Sequence, residues 1–430
     1  MTDRYDAFAT PSTFAVPATM RALVASGRGI ENLAVKTVPV PEPGPNQLLA
    51  RVDAAGVCTS NLKLIAQGAD HTYLNGWNLE RWPIILGDEG SITVMRVGAA
   101  LAGRFRPGER YCVQPAVDVP PILHRERYRD GAAGMTKCAV GYTLPGHLAE
   151  YMLIQEEVIE GRCLLPLPGP GVPYFAASMA EPISCVMSAQ ERSFHFHKEG
   201  PLAERRVEKG LLPGGVTVVS GAGVMGRMQA ELALRFRPRV LLVVDVLDER
   251  LRMVERDIGA RAAAAGVRLV CVNPPALEGA LKAESGGRGA DDLILAVGIR
   301  GVQQHALGLL AHGGAANLFG GLPRGEHMLE LDSLAVHYRE IHLVGSSGGE
   351  PSDLANALAA IADGSIDAGH YVAAVGCLED AVEVLKMVKD ARLEGRAILY
   401  PHALRLPLRA VEGWSGDDER RFLNENVRPA

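Results

Sequence analysis

Several absences narrow the field before any motif is considered. Seven cysteines in 430 residues (58, 112, 138, 163, 185, 271 and 377) are odd in number and include no Cys-x-x-Cys. That excludes a disulfide framework and predicts a reducing, cytoplasmic compartment. No stretch approaches the roughly 18 uninterrupted apolar residues of a membrane helix, so no membrane span is expected. Long Lys/Arg runs are missing, and 44 basic against 50 acidic residues leave a net charge of −6. Such a chain is a poor partner for nucleic acid or an anionic membrane surface. Residues 1–19 lack a basic segment followed by an apolar one. They read as a flexible extension rather than a secretory leader. Aromatic residues make up only 5% of the chain, which suits a small hydroxylated substrate better than a bulky apolar one.

What is present is an ordinary globular apolar fraction, 47%, enough to bury two cores. At roughly 100–200 residues per domain, the length implies two or three domains. Residues 20–190 open with short apolar or alternating runs between Pro/Gly turns, a β-rich pattern. Within them, 117–145 reads as a long basic loop carrying His124, Arg125, Arg127, Arg129 and Lys137. Solvation explains these charges more simply than a phosphate site does. Residues 191–212 form a charged connector, a solvated helix or an insertion, in which His195-x-His197 is too isolated to indicate a metal. From 213 to 343 apolar strands alternate with helical patterns, the signature of βαβ units around a parallel sheet. Residues 344–430 return to the first domain and end in a charged tail.

The segment VTVVSGAGVMG (216–226) places Gly221-x-Gly223-x-x-Gly226 between a β-branched strand and a helix. Gly221 permits the tight turn, Gly223 allows backbone to approach a pyrophosphate, and Gly226 lets helix and strand pack closely. With Val224 and Met225, these residues head a helix whose N–H groups face the phosphates. A second strand ends in Asp245, nineteen residues after Gly226. Its carboxylate can accept both ribose hydroxyls and repels a 2′-phosphate, so the spacing predicts NAD over NADP.

Three further segments carry polar chemistry: Gly56-Val57-Cys58-Thr59-Ser60-Asn61, Gly87-Asp88-Glu89-Gly90 and Ala180-Glu181-Pro182-Ile183-Ser184. With the fingerprint, their order and spacing over about 20–400 resemble the zinc-type medium-chain dehydrogenase/reductase family, particularly its polyol branch. Gln67-Gly68-Ala69-Asp70-His71 adds a shorter likeness to sorbose-1-phosphate reductase-like proteins. The resemblance implies an α/β fold, a Rossmann doubly wound parallel sheet plus a β-rich GroES-like catalytic domain, with nicotinamide in the interdomain cleft. It implies a catalytic zinc held by Cys58, Asp88 and Glu181, with Glu89 as alternative ligand or partner of bound water. Ser60 would take the proton of the alcohol. The implied activity is an NAD-dependent, metal-assisted interconversion of a secondary alcohol and a ketone on a polyol, cyclitol or sugar phosphate. A homodimer or homotetramer is the implied assembly.

This sequence departs from the family at two linked positions. Asp88 stands where the family has histidine, and Asn61 where it has the carboxylate that orients that histidine. An aspartate would repel a neighbouring carboxylate, whereas the Asn61 amide can donate to it. Three anionic ligands leave zinc at net −1, which weakens its Lewis acidity. The family's structural zinc needs four cysteines where 115–145 offers only Cys138, so that second site is expected to be absent. Two other readings stand beside the dehydrogenase: an NAD-retaining epimerase or lyase acting through transient oxidation, and a non-catalytic dinucleotide-binding relic.

Overall fold

The computed structural model describes residues 4–10, 15–323 and 325–427, and the chain divides into two units, 1–181 with 350–430 and 182–349. These boundaries differ from the expected ones, which placed the first break at 190 and the return at 344. Among the described residues, no helix is long and apolar enough to cross a membrane.

In the first unit, a mixed sheet is centred on Leu48–Gly56, a strand buried along its whole length. It pairs antiparallel with Glu89–Val97, so that Gly56 lies opposite Glu89. On its other side Arg396–Tyr400 pairs through Ile398 and Leu399. Chain segments more than 300 residues apart therefore meet at one point of the sheet. The next element, helix Thr59–Gln67, is capped by Cys58, whose sulfur accepts from the Ser60 amide at 3.5 Å.

The second unit holds six parallel strands in the order Arg268–Val272, Val240–Val244, Val216–Ser220, Ala290–Leu295, Leu310–Asn317, His342–Val344. Numbered along the chain, that is 3-2-1-4-5-6, the doubly wound order of dinucleotide-binding domains. The central strands are buried on both faces, which explains their continuous apolar runs.

Two segments differ from the expectations. Residues Arg4–Ala9, inside the supposed flexible extension, form a helix whose Phe8 is 1% exposed. The Arg51 guanidinium lies 3.6 Å from the Phe8 ring centre and donates to the Phe8 carbonyl. Burying that ring is worth roughly 1.5–3 kcal/mol, enough to hold one turn that propensity alone could not. The rest of that expectation, at 1–3 and 11–14, lies outside the described residues. The charged connector is a β-hairpin, Phe194–His197 with Arg206–Lys209. In the basic loop His124, Arg125, Arg129 and Lys137 are exposed as expected, and only Arg127 is half-buried, over a small apolar cluster. Tyr128 and Ala132 are buried, and Arg127 lies over Trp77 and Trp82 at 5.2 and 5.7 Å.

Candidate active site

In the first unit the polar centre is assembled around the head of helix Thr59–Gln67. Gly87 turns the chain with φ +108°, and a Cβ there would lie 2.6 Å from the Leu148 amide nitrogen. Only glycine allows this approach, and it delivers Asp88 and Glu89 beneath the thiol loop. Ser60 Oγ donates to Asp88 Oδ2, and Asn61 Nδ2 donates to Asp88 Oδ1 at 3.2 Å. The Asn61 carbonyl oxygen accepts from the Gly87 amide at 3.2 Å. The amide donation expected of an Asn beside an Asp is therefore present, and Asn61 spans both sides of the turn.

Burial pushes the Asp88 carboxyl above the ordinary carboxylate range, against the opposing pull of Ser60 and Asn61. Desolvation likewise raises the Cys58 thiol, reinforced by the charges of Asp88 and Glu181 and relieved by Arg396. Glu181, in the first turn of helix Ala180–Arg192, is 7% exposed. These donors repel one another when charged, and a cation between them would remove that repulsion. Among the described residues, no three His, Cys, Asp or Glu side chains are drawn together closely enough to hold a metal ion. Cys58, Asp88 and Glu181 thus share a neighbourhood without forming a closed ligand set. The donor chemistry, one soft thiolate with hard carboxylates, suits a divalent cation such as zinc.

Glu89 is fully buried, and its Oε1 is ion-paired with Arg396, itself 6% exposed. Its Oε2 has no hydrogen-bond partner, and a Cβ on Gly56 would fall 2.2 Å from that atom. Such an orphaned buried oxygen is costly unless something occupies its free side.

Three residues here escaped the sequence reading. Arg396 opens the apolar strand RAILY; a lone arginine in a buried strand was its only signal. Tyr142 hydrogen-bonds Ser60 and feels the charges of Asp88 and Cys58. It packs against Tyr73 and His71, ring centres 5.5 and 5.2 Å away, and nothing local in the sequence marked it. His147 is buried with Nδ1 3.2 Å from the Gly87 carbonyl, and burial lowers its pKa to about 4. The neutral ring backs the Asp88 turn, where a Cβ on Gly90 would meet it at 2.3 Å.

In the second unit, Gly221 follows its strand with φ +101°. A Cβ on Gly226 would sit 1.8 Å from the Gly221 carbonyl oxygen, whereas Gly223 faces nothing within 4 Å. One glycine is thus needed for the turn, one for close packing, and one leaves room for a ligand. Val224 and Met225 begin helix Val224–Ala233. Asp245 is 7% exposed and accepts from the Ala222 and Leu247 amides at 2.7 and 2.9 Å. Arg250 Nη1, which the reading of Asp245 did not include, lies 3.8 Å from that carboxylate.

Residues 44–166 match the model of the alcohol dehydrogenase GroES-like domain and 213–363 that of zinc-binding dehydrogenases. L-sorbose 1-phosphate reductase of Klebsiella pneumoniae is 30% identical over 77% of this chain and 76% of its own. Mannitol-1-phosphate 5-dehydrogenase of Aliivibrio fischeri is 29% identical over 90% of this chain and 88% of its own. Among solved structures, 2R,3R-butanediol dehydrogenase from Bacillus subtilis superposes with a TM-score of 0.69 at 17% identity, covering 89% of this chain and 99% of its own. A Sinorhizobium meliloti 1021 structure with NADP bound gives 0.69 at 20% identity, covering 90% and 100%.

Proposed function

The chain belongs to the polyol branch of the zinc-type medium-chain dehydrogenase family and is an oxidoreductase using a nicotinamide dinucleotide, and on that premise we propose that it is an NAD-dependent, metal-assisted dehydrogenase of a secondary alcohol on a polyol, cyclitol or sugar phosphate. The observation carrying this reading is the cluster at one helix head, where Ser60 and Asn61 both donate to Asp88 beside the Cys58 thiol.

Cys58, Asp88 and Glu181 would hold the zinc, which when bound supplies Lewis acidity toward the substrate oxygen. The dinucleotide would rest its pyrophosphate on the amides of Gly223, Val224 and Met225 and supply the hydride acceptor. Everything else falls to the chain's own groups. Ser60 commits its hydroxyl proton to Asp88 and one Oγ lone pair to Tyr142, so the other lone pair remains to receive the O–H of an alcohol. Tyr142 holds Ser60 from the other side. Arg396 pairs with Oε1 of Glu89 in a dry site and leaves Oε2 as an acceptor for a water or substrate hydroxyl. The Asp245 carboxylate, oriented by two amides, retains lone pairs for the ribose hydroxyls. Arg250 partly offsets its charge, so discrimination against a 2′-phosphate is weaker than an isolated aspartate would give. We take the assembly to be a homodimer or homotetramer in the cytoplasm.

The test is a screen of polyols, cyclitols and sugar phosphates with NAD, run beside metal quantification. NADH formation with a secondary alcohol and about one zinc per chain are expected. A metal-free protein, inert with every compound and not rescued by added zinc, contradicts the reading.

A further inference from the structure

The hairpin Phe194–His197/Arg206–Lys209 lies outside both matched segments and carries the His195-x-His197 pair that the proposed reaction leaves unused. Strand alternation sends the adjacent rings of Phe194 and His195 to opposite faces. His195 is 6% exposed, and its Nε2 bonds the fully buried Asp292 at 2.9 Å. Asp292 also accepts from the Leu212 amide at 2.7 Å. On the other face, Phe194 stacks on His342 with ring centres 4.5 Å apart. Two unlike contacts thus fasten the hairpin to the sheet, and its far end is left to frame a groove of about 740 Å³.

The groove is remote from the fingerprint. Asp291 and His312 stand near the first residues of strands Ala290–Leu295 and Leu310–Asn317, and Ile341 just precedes His342–Val344. Gly221 follows the last residue of the parallel strand Val216–Ser220. The two places are at opposite ends of the sheet, about 17 Å apart at roughly 3.3 Å per residue.

Its polar groups are unequally satisfied. Asp291 accepts from the Val216 amide at 2.8 Å and faces Arg288 at 3.5 Å, and Asp292 is taken by His195. Lys198 donates a single hydrogen bond, to the Pro201 carbonyl at 2.6 Å, which leaves two N–H groups. Arg205 and His312 line the groove and make no hydrogen bond or ion pair among the described residues. Glu340 is the one carboxylate there in the same condition. Uncommitted donors therefore outnumber uncommitted acceptors, and Phe196, 53% exposed, offers an apolar wall beside them.

We propose that this groove is a second binding site on the dinucleotide unit, for a small phosphate-bearing anion. Arg205 supplies the planar fork and Lys198 the point charge that such a group takes.

The full chain is titrated calorimetrically with inorganic phosphate at constant ionic strength and saturating NAD, so that the fingerprint is already filled. Saturable binding is expected, weakened about tenfold or more in Lys198→Ala/Arg205→Ala, with NAD affinity unchanged. Both residues are exposed, so the variant keeps its fold, and an unchanged thermal midpoint verifies this. Phenyl phosphate separates two sources of the ligand. Tighter binding that Phe196→Ser erases assigns the groove to phosphate esters, and equal binding assigns it to free phosphate. An absence of saturable heat, equal affinity in the double variant, or the same response to sodium chloride overturns the proposal.

Discussion

In the dinucleotide unit, the groups poised for a ligand are backbone amides at the end of one five-residue strand and the start of the following helix. In the catalytic unit they are side chains drawn from positions 58 to 396. The first arrangement is set by where a Cβ cannot fit, so Gly221 and Gly226 admit no substitute. The second tolerates exchange when partners change together. The resemblance puts a histidine where this chain has Asp88, and here Asn61 supplies a hydrogen bond to that carboxylate. A backbone site is fixed by geometry, and a side-chain site by complementarity among its members.

This contrast can be broken experimentally, beginning with its largest consequence. Cys58→Ala should remove the metal and lower turnover by at least about a thousandfold while leaving NAD affinity within about twofold, since the thiolate is both ligand and charge centre. Retained metal in that variant would dismiss Cys58 as a ligand. Arg396→Met strands the buried Glu89 charge and should destabilise the chain by about 3–5 kcal/mol in denaturant unfolding. Arg396→Lys should recover part of that loss.

The exchange at 88 gives a sharper test. Asp88→His alone forfeits the bonds from Ser60 and Asn61 and should cost about 10–100-fold in turnover. Adding Asn61→Asp should restore a large part of it, because the carboxylate can again orient an imidazole. Independent, additive effects would show that the two positions are not coupled. In the other unit, Asp245→Asn should shift the NAD-to-NADP preference by only about tenfold, because Arg250 already softens the field. An unchanged preference would remove the ribose contact from the account.

A further effect, on stability alone, concerns pH. Glu419 is buried in helix Gly416–Asn426, accepts from the Tyr174 and Phe175 amides at 2.7 Å, and has its pKa pushed up by burial to about 7. Its folded value lies above its unfolded value of about 4.3, so the folded chain binds this proton more tightly. Its contribution to stability is present at low pH and lost as pH rises from about 4.5 to 7. Thermal midpoints should fall across that window, and fall less in Glu419→Gln.

The strand–helix rhythm after residue 213 made the parallel sheet legible, because strands buried on both faces and amphipathic helices write different periods. Locally contiguous site residues, Cys58 with Ser60 and Asp88 with Glu89, were legible for the same reason as the glycine fingerprint. What escaped depends on distant pairing. Arg396 reaches Glu89 only because strand Arg396–Tyr400 docks beside Leu48–Gly56. Phe8 is held by partners distant in the chain, the Arg51 guanidinium and the rings of Tyr174 and His402. The hairpin at 194–209 was hidden by its charges, since all four residues of its second strand are exposed and carry no apolar alternation.

X-ray absorption at the zinc edge of the purified chain addresses the shared cation most directly. One sulfur at about 2.3 Å with the remaining ligands oxygen is the expected first shell, and Cys58→Ala should erase the sulfur. A shell with several sulfurs, a nitrogen-dominated shell, or no bound zinc would contradict the ligation of Cys58, Asp88 and Glu181.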